Sequence, residues 1–246
     1  MNVAILGASK GMGRALAREL IERDNDVFLW GRDLADLERS KQDLEARAKS
    51  HRGVGMGFCD LEKPETFAPA LLEASASLGA IDAVVVTAGT FATQEQLESS
   101  PELCRRLLST NFTHTILFCE AARKHLLVQG GGTLCVFTSV AGDRGRKPVI
   151  LYGASKAGLS HYLEGLDHKF HSQGLTVINI KPGFVKTGMT QGLKAPPFAG
   201  EPHEVAKHVA RVLAKPKPVV YTPPIWRWIM RVIRHLPRFV MRRLGF

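Results

Sequence analysis

The opening of the chain constrains it most. Asn2–Leu6 is a short apolar run, Gly7-Ala8-Ser9-Lys10-Gly11-Met12-Gly13 follows at once, and a helical pattern occupies Met12–Arg23. A strand that passes through a glycine turn straight into a helix is the first half of a βαβ unit. Glycines there permit a tight turn and close approach of a pyrophosphate. The helix N-terminus adds free N–H groups and the positive end of a dipole. The spacing is G-x-x-x-G-x-G rather than G-x-G-x-x-G, and a glycine turn without a ligand is the plainer alternative.

The same alternation continues. Strand patterns at Asp26–Trp30, Gly53–Phe58, Ile81–Val86, Thr133–Thr138, Leu175–Lys181 and Val219–Thr222 are separated by helical stretches. Those stretches are Leu34–Lys49, Pro64–Leu78, Pro101–Gln129, Leu151–Ser172 and Glu201–Ala214. Short strands separated by helices favour right-handed parallel βαβ crossovers. The expected fold is α/β: a single-domain Rossmann fold whose doubly wound parallel sheet has about seven strands, over residues 1–222, followed by a basic helical tail at 223–246.

Charge marks the tail. The net charge is +10, the last acidic residue is Glu204, and ten cations lie beyond it. Those ten equal the whole excess, so the body is neutral and no nucleic-acid partner is expected. Arg227, Arg231, Arg234, Arg238 and Arg242 recur at helical spacing beside Trp226, Ile229, Ile233, Leu236 and Val240. Pro237 divides the segment into helices at about Pro224–Leu236 and Pro237–Leu244. A basic, tryptophan-containing amphipathic helix suits peripheral contact with an anionic membrane. It equally suits packing against the body or another subunit. No apolar run reaches the ~20 residues of a membrane span. Four cysteines without metal-ligand spacing fit buried free thiols and a cytoplasmic setting. Nine histidines show no H-E-x-x-H, and no metal site is expected.

Tyr152 and Lys156 stand four residues apart, with Ser139 thirteen upstream. On a helix the pair shares a face. An ammonium beside a phenol favours the phenolate, so Lys156 is expected to lower the Tyr152 pKa and suit it for proton exchange with an alcohol oxygen. Ser139 can hydrogen-bond the same oxygen. Alone, Tyr-x-x-x-Lys is weak, since a solvated helix face supplies it by chance. Where strand two ends, the chain reads Leu29-Trp30-Gly31-Arg32-Asp33. An acid at this point binds a ribose 2′-OH and selects NAD, whereas arginine accommodates the 2′-phosphate of NADP. Gly31 and Arg32 favour NADP, with help from Lys10. NAD is the runner-up, with Asp33 or Asp26 on the ribose.

Together the glycine turn, Ser139, Tyr152 and Lys156 resemble the short-chain dehydrogenase/reductase family over roughly residues 1–222. The resemblance implies the catalytic set Asn111, Ser139, Tyr152 and Lys156. It implies cofactor contacts from Gly7, Ser9, Lys10, Gly11, Met12, Gly13, Arg32, Asp60, Leu61, Ala88, Gly89, Tyr152, Lys156, Pro182, Gly183, Val185 and Thr187. It further implies a homodimer or homotetramer that interconverts a ketone and a secondary alcohol with NAD(P)H, Asn111 helping to hold a water that links Lys156 to solvent. Leu6 and Thr87 depart from the family's usual threonine and asparagine, and both departures touch cofactor-loop support.

Four stretches are similar to one subgroup, the decaprenylphosphoryl-2-keto-ribose (2-keto-erythro-pentose) reductases. They are Ala141–Arg146, Lys181–Thr187, Gly192–Pro196 and Ile233–Arg238. That resemblance implies a polyprenyl-phosphate-linked keto-sugar met at the inner face of a membrane, with Arg144, Arg146 and Lys147 either near a substrate phosphate or in solvent. A soluble reductase of oxoacyl thioesters or other small ketones is the alternative. A non-catalytic dinucleotide-sensing scaffold is the alternative of another class.

Overall fold

The computed structural model describes residues 1–48 and 53–245. Each strand is short and apolar at nearly every position, the mark of a parallel sheet covered on both faces. The strands are β1 (Asn2–Leu6), β2 (Asp26–Gly31), β3 (Val54–Phe58), β4 (Ala83–Val86), β5 (Gly132–Phe137), β6 (Leu175–Pro182) and β7 (Val219–Thr222). They form one parallel sheet in the order β3-β2-β1-β4-β5-β6-β7.

Because side chains alternate along a strand, the sheet divides the core into two layers. Val3 and Ile5 of β1 face helices α1 (Gly11–Glu22), α2 (Leu34–Glu45) and α8 (Pro202–Ala214). Ala4 and Leu6 face α3 (Phe67–Leu78), α6 (Thr115–Val128) and α7 (Ile150–Phe170). The second layer is centred on aromatic edges. Phe118 is fully buried, 5.9 Å from Trp30 and 5.3 Å from Phe67, both in edge-on contact.

Two expectations need correction. Residues 101–129 are not one helix. They form α5 (Pro101–Leu108), a wider π turn at Ser109–His114, and then α6. The Thr115 hydroxyl donates to the Thr110 carbonyl five residues back, at 2.8 Å, which suits the wider turn. The short helix α4 (Gln94–Ser99) was not expected. Its signal is present in Thr93-x-x-Gln96, a capping box in which both reciprocal bonds form. The anticipated end of α2 at Lys49 lies outside the described residues; the helix itself ends at Glu45.

The tail forms α9 (Ile225–His235) and α10 (Arg238–Arg243), broken at Pro237 as its fixed φ requires. Among the described residues no helix is long and apolar enough to cross a membrane. Phe118→Ala is expected to destabilise the fold by about 3–5 kcal/mol, read as a lower midpoint in urea denaturation.

Candidate active site

Strand order reverses between β1 and β4, so the loops leaving their carboxyl ends diverge and leave a crevice. A cleft of about 580 Å³ lies there. Gly7, Ser9, Lys10, Gly11, Met12, Gly13, Arg32, Asp60, Leu61, Ala88, Gly89 and Thr187 line it. Tyr152, Lys156, Pro182, Gly183 and Val185 are not among its lining residues, and the Val185 side chain is buried in the core beside α8. Unforeseen wall residues include Asp36, Glu62, Thr87 and Arg106.

The glycine turn is built for close approach. Gly7 and Gly11 have φ of +94° and +55°, where a side chain is strained. No side chain caps α1, so the N–H groups of its first turn remain for a ligand. The Thr87 hydroxyl donates to Leu6 O at 3.0 Å, with Gly7 O at 3.2 Å. The departure at position 87 therefore supplies the hydroxyl that ties β4 to the turn. These features fit a dinucleotide pyrophosphate.

The corner beside β2 is cationic but internally paired. Lys10 Nζ lies 2.6 Å from Asp36, which also meets Arg39. The hydrogen bond from Lys10 is the main reason the Asp36 carboxyl sits below its usual range. Arg32 is largely exposed, 3.7 Å from Glu62. Of the two runner-up acids, Asp33 lines the cleft and Asp26 does not. Asp33 caps α2 by accepting from Asp36 N at 3.0 Å. Asp26 opens β2 at the end of the sheet opposite the cleft, where it accepts from Gly53 N at 2.8 Å.

Ser139 lies two residues beyond β5, and Tyr152 is the third residue of α7. What joins them is backbone proximity. A Cβ on Gly142 would lie 2.7 Å from Ala157 N and from the Lys156 carbonyl carbon. One on Gly153 would lie 2.7 Å from Ala141 O. Only glycine at both places lets the Ser139 segment settle onto α7. Ser139 Oγ accepts from Ala141 N at 3.0 Å, and Ser139 stands close enough to the Tyr152 phenol to oppose the effect of its burial. Phe91 packs edge-on against the Tyr152 ring at 5.2 Å.

Lys156 is 5% exposed, its Nζ 5.9 Å from the Tyr152 ring centroid. Nζ donates to Phe137 O at 3.2 Å and reaches the cleft wall at Gly89. Asn111, in the π turn, is fully buried. Its Oδ1 accepts from Thr90 N at 2.8 Å and its Nδ2 donates to Thr90 O at 2.7 Å. It pins the loop after β4 directly beside Lys156. π turns of this kind often occur at functional sites.

The expected direction of the Tyr152 shift is corrected. Burial pushes the phenol up to about 12, with the Ser139 hydrogen bond pulling the other way. Burial brings the Lys156 ammonium down to about 8. Desolvation is the largest cause for both groups.

Arg144 and Lys147 both reach the tail. They donate to Leu236 O at 2.9 Å and Arg242 O at 2.7 Å, at the ends of α9 and α10. The Nε of Arg146 is buried with no hydrogen-bond partner.

The family model for short chain dehydrogenases matches residues 1–197. An uncharacterised oxidoreductase of Mycobacterium tuberculosis is 31% identical over 242 residues, covering 98% of this chain and 96% of that protein. Carbonyl reductase family member 4 of Xenopus tropicalis is 31% identical over 221 residues, covering 87% and 91%. The solved structure of an actinorhodin polyketide ketoreductase variant with NADPH superposes with a TM-score of 0.79 at 23% identity, covering 90% of this chain and 95% of that one.

Gly142→Ala is expected to displace Ser139 from Tyr152. A misplacement of about 1 Å costs on the order of 10²-fold in kcat, while cofactor affinity measured by fluorescence titration stays near wild type.

Proposed function

Since the chain belongs to the short-chain dehydrogenase family, we propose that it is an NAD(P)H-dependent reductase interconverting a ketone and a secondary alcohol. The observation that carries this reading is the close packing of the Ser139 segment on α7, which gathers buried Ser139 and Lys156 around Tyr152, with Lys156 Nζ 5.9 Å from the ring centroid. The bound nicotinamide supplies hydride. The protein's own groups manage the oxygen: Tyr152 gives its proton to the developing alkoxide, and the Ser139 hydroxyl donates to the same atom. At neutral pH the phenol holds its proton and Lys156 is mostly charged, which is the state reduction needs.

NADP is the proposed cofactor. Arg32, Lys10 and Arg39 gather beside the ribose corner, Asp33 there already accepts from the first turn of α2, and Asp26 lies at the other end of β2. Glycines and open amides of the first turn of α1 would hold the pyrophosphate.

For the substrate we propose a polyprenyl-phosphate-linked keto-sugar of the decaprenylphosphoryl-2-keto-ribose class. The four sequence stretches support this, and three of them meet in space. Val140 packs with Trp226, Met230, Ile233 and Phe184, so the segment after Ser139, the turn after β6 and the tail form one unit. Residues 1–222 would be the catalytic body, working as a homodimer or homotetramer, and 223–246 a tail at the inner face of an anionic membrane. The relative named carbonyl reductase favours a second reading, a soluble small-ketone reductase.

Tyr152→Phe is expected to lower kcat about 10²- to 10⁴-fold; near wild-type turnover would remove Tyr152 from the mechanism. Lys156 has a lowered pKa, so its charge is present below about 8 and lost above it. Reduction measured as kcat/KM should therefore fall as pH rises through that value. NADPH and NADH oxidation should be compared with a prenyl-phosphoryl keto-pentose and a 3-oxoacyl thioester. Faster turnover with NADPH and the keto-pentose is expected, and turnover of the thioester alone would refute the sugar reading.

A further inference from the structure

A helix packed on a body needs one narrow apolar stripe, but the apolar arc of α9 is far wider, with partly buried Ile229 joining its inner to its outer part. At about 100° per residue, Trp226, Met230 and Ile233 fall in one sector about 60° wide, and these are the buried residues. Ile225, Trp228 and Val232 fall in a second sector of the same width, about 140° away, and are 40%, 60% and 64% exposed. Arg227, Arg231 and Arg234 fill a third sector, all exposed. In α10, Met241 packs inward while Phe239 is 62% exposed. The Arg231 guanidinium lies 5.8 Å from the Trp228 ring centroid.

We propose that this outer face of α9 and α10 docks on an anionic lipid bilayer. Ile225, Trp228, Val232 and Phe239 enter the boundary between headgroups and acyl chains, and the neighbouring arginines meet headgroup phosphates. Charge singles out this occupant: no acidic residue follows Glu204. A second copy set antiparallel on the face about a twofold axis brings one arginine flank against the other. A polyanion without an apolar phase satisfies the arginines and leaves Trp228 and Phe239 in water. An 11-residue helix spans about 16 Å, short of the ~30 Å hydrocarbon core, so α9 lies along the surface rather than across it.

Docking deepens the lipid-linked reading of the substrate, and rests on it for its purpose. The inner face of the same helices is bound to the catalytic segment through Val140, Arg144 and Lys147. A bilayer that holds the tail therefore holds the Ser139 end of the active site near the lipid.

The test is sedimentation of the full chain with vesicles of phosphatidylcholine alone or mixed with phosphatidylglycerol. Binding to the mixed vesicles that weakens with added salt is expected. Trp228→Ser with Phe239→Ser should reduce partitioning at least about tenfold, and each of Arg231→Gln and Arg238→Gln about fivefold. All of these variants keep the inner stripe, so melting temperatures should match wild type. No binding of the wild-type chain to anionic vesicles overturns the proposal. So does a serine double variant that partitions like wild type, whether it binds by charge alone or becomes monomeric. Vesicle binding needs no turnover, so a failed substrate assay and a failed docking assay are separate results.

Discussion

The reversal of strand order between β1 and β4 is the constraint on which the site depends. Successive crossovers on one side run toward β3 and on the other toward β7, and right-handed connections then force the loops apart at the carboxyl ends. The glycine turn, Arg32, Asp60 and the Ala88-Gly89 loop all sit on that edge. Their mutual position is held by few bonds. The Thr87 hydroxyl ties β4 to the turn, and Asn111 ties the next residues to the π turn from the other side. Apolar strands buried on both faces give this edge its rigidity.

Tyr152 and Lys156 show what burial does to a pair that helix spacing brings together. Helix spacing places a phenol and an ammonium on one face, and spacing alone predicts a lowered phenol. Both groups are withdrawn from water, however, and withdrawal favours the neutral form of each. It therefore raises Tyr152 and lowers Lys156, which leaves the tyrosine a proton donor at neutral pH.

Much of this was legible in the sequence because it rests on local pattern. Apolar runs, glycine turns and helical spacing marked seven strands, the cofactor turn and the Tyr152–Lys156 step. What escaped depends on contacts between distant segments. The break in residues 101–129 follows from Asn111 hooking Thr90, which periodicity does not reveal. The use of Gly142 and Gly153 is visible only once the Ser139 segment lies on α7. The direction of the Tyr152 shift required a burial that no spacing encodes.

The basic loop after Ser139 was the hardest part to read, and its charges serve a purpose that sequence did not suggest. Arg144 and Lys147 place cations at the carbonyl ends of α9 and α10, where the helix dipole is negative. Asp143 anchors the same loop from beneath, with Lys181 Nζ at 2.5 Å and the Tyr221 hydroxyl at 2.7 Å. Its side chain is 2% exposed and Lys181's 12%, so removing either partner leaves an uncompensated charge. The loop is thus fixed to β6 and β7 below and to the tail above, while its first residue touches Tyr152. Any force that moves the tail relative to the sheet acts on this loop first. A tail that served only to cover the body would need neither such bonds nor so wide an apolar arc. Their coexistence on two short helices is most simply explained if the outer part of the arc has a surface of its own to meet, and the inner bonds keep the catalytic serine in register when it does.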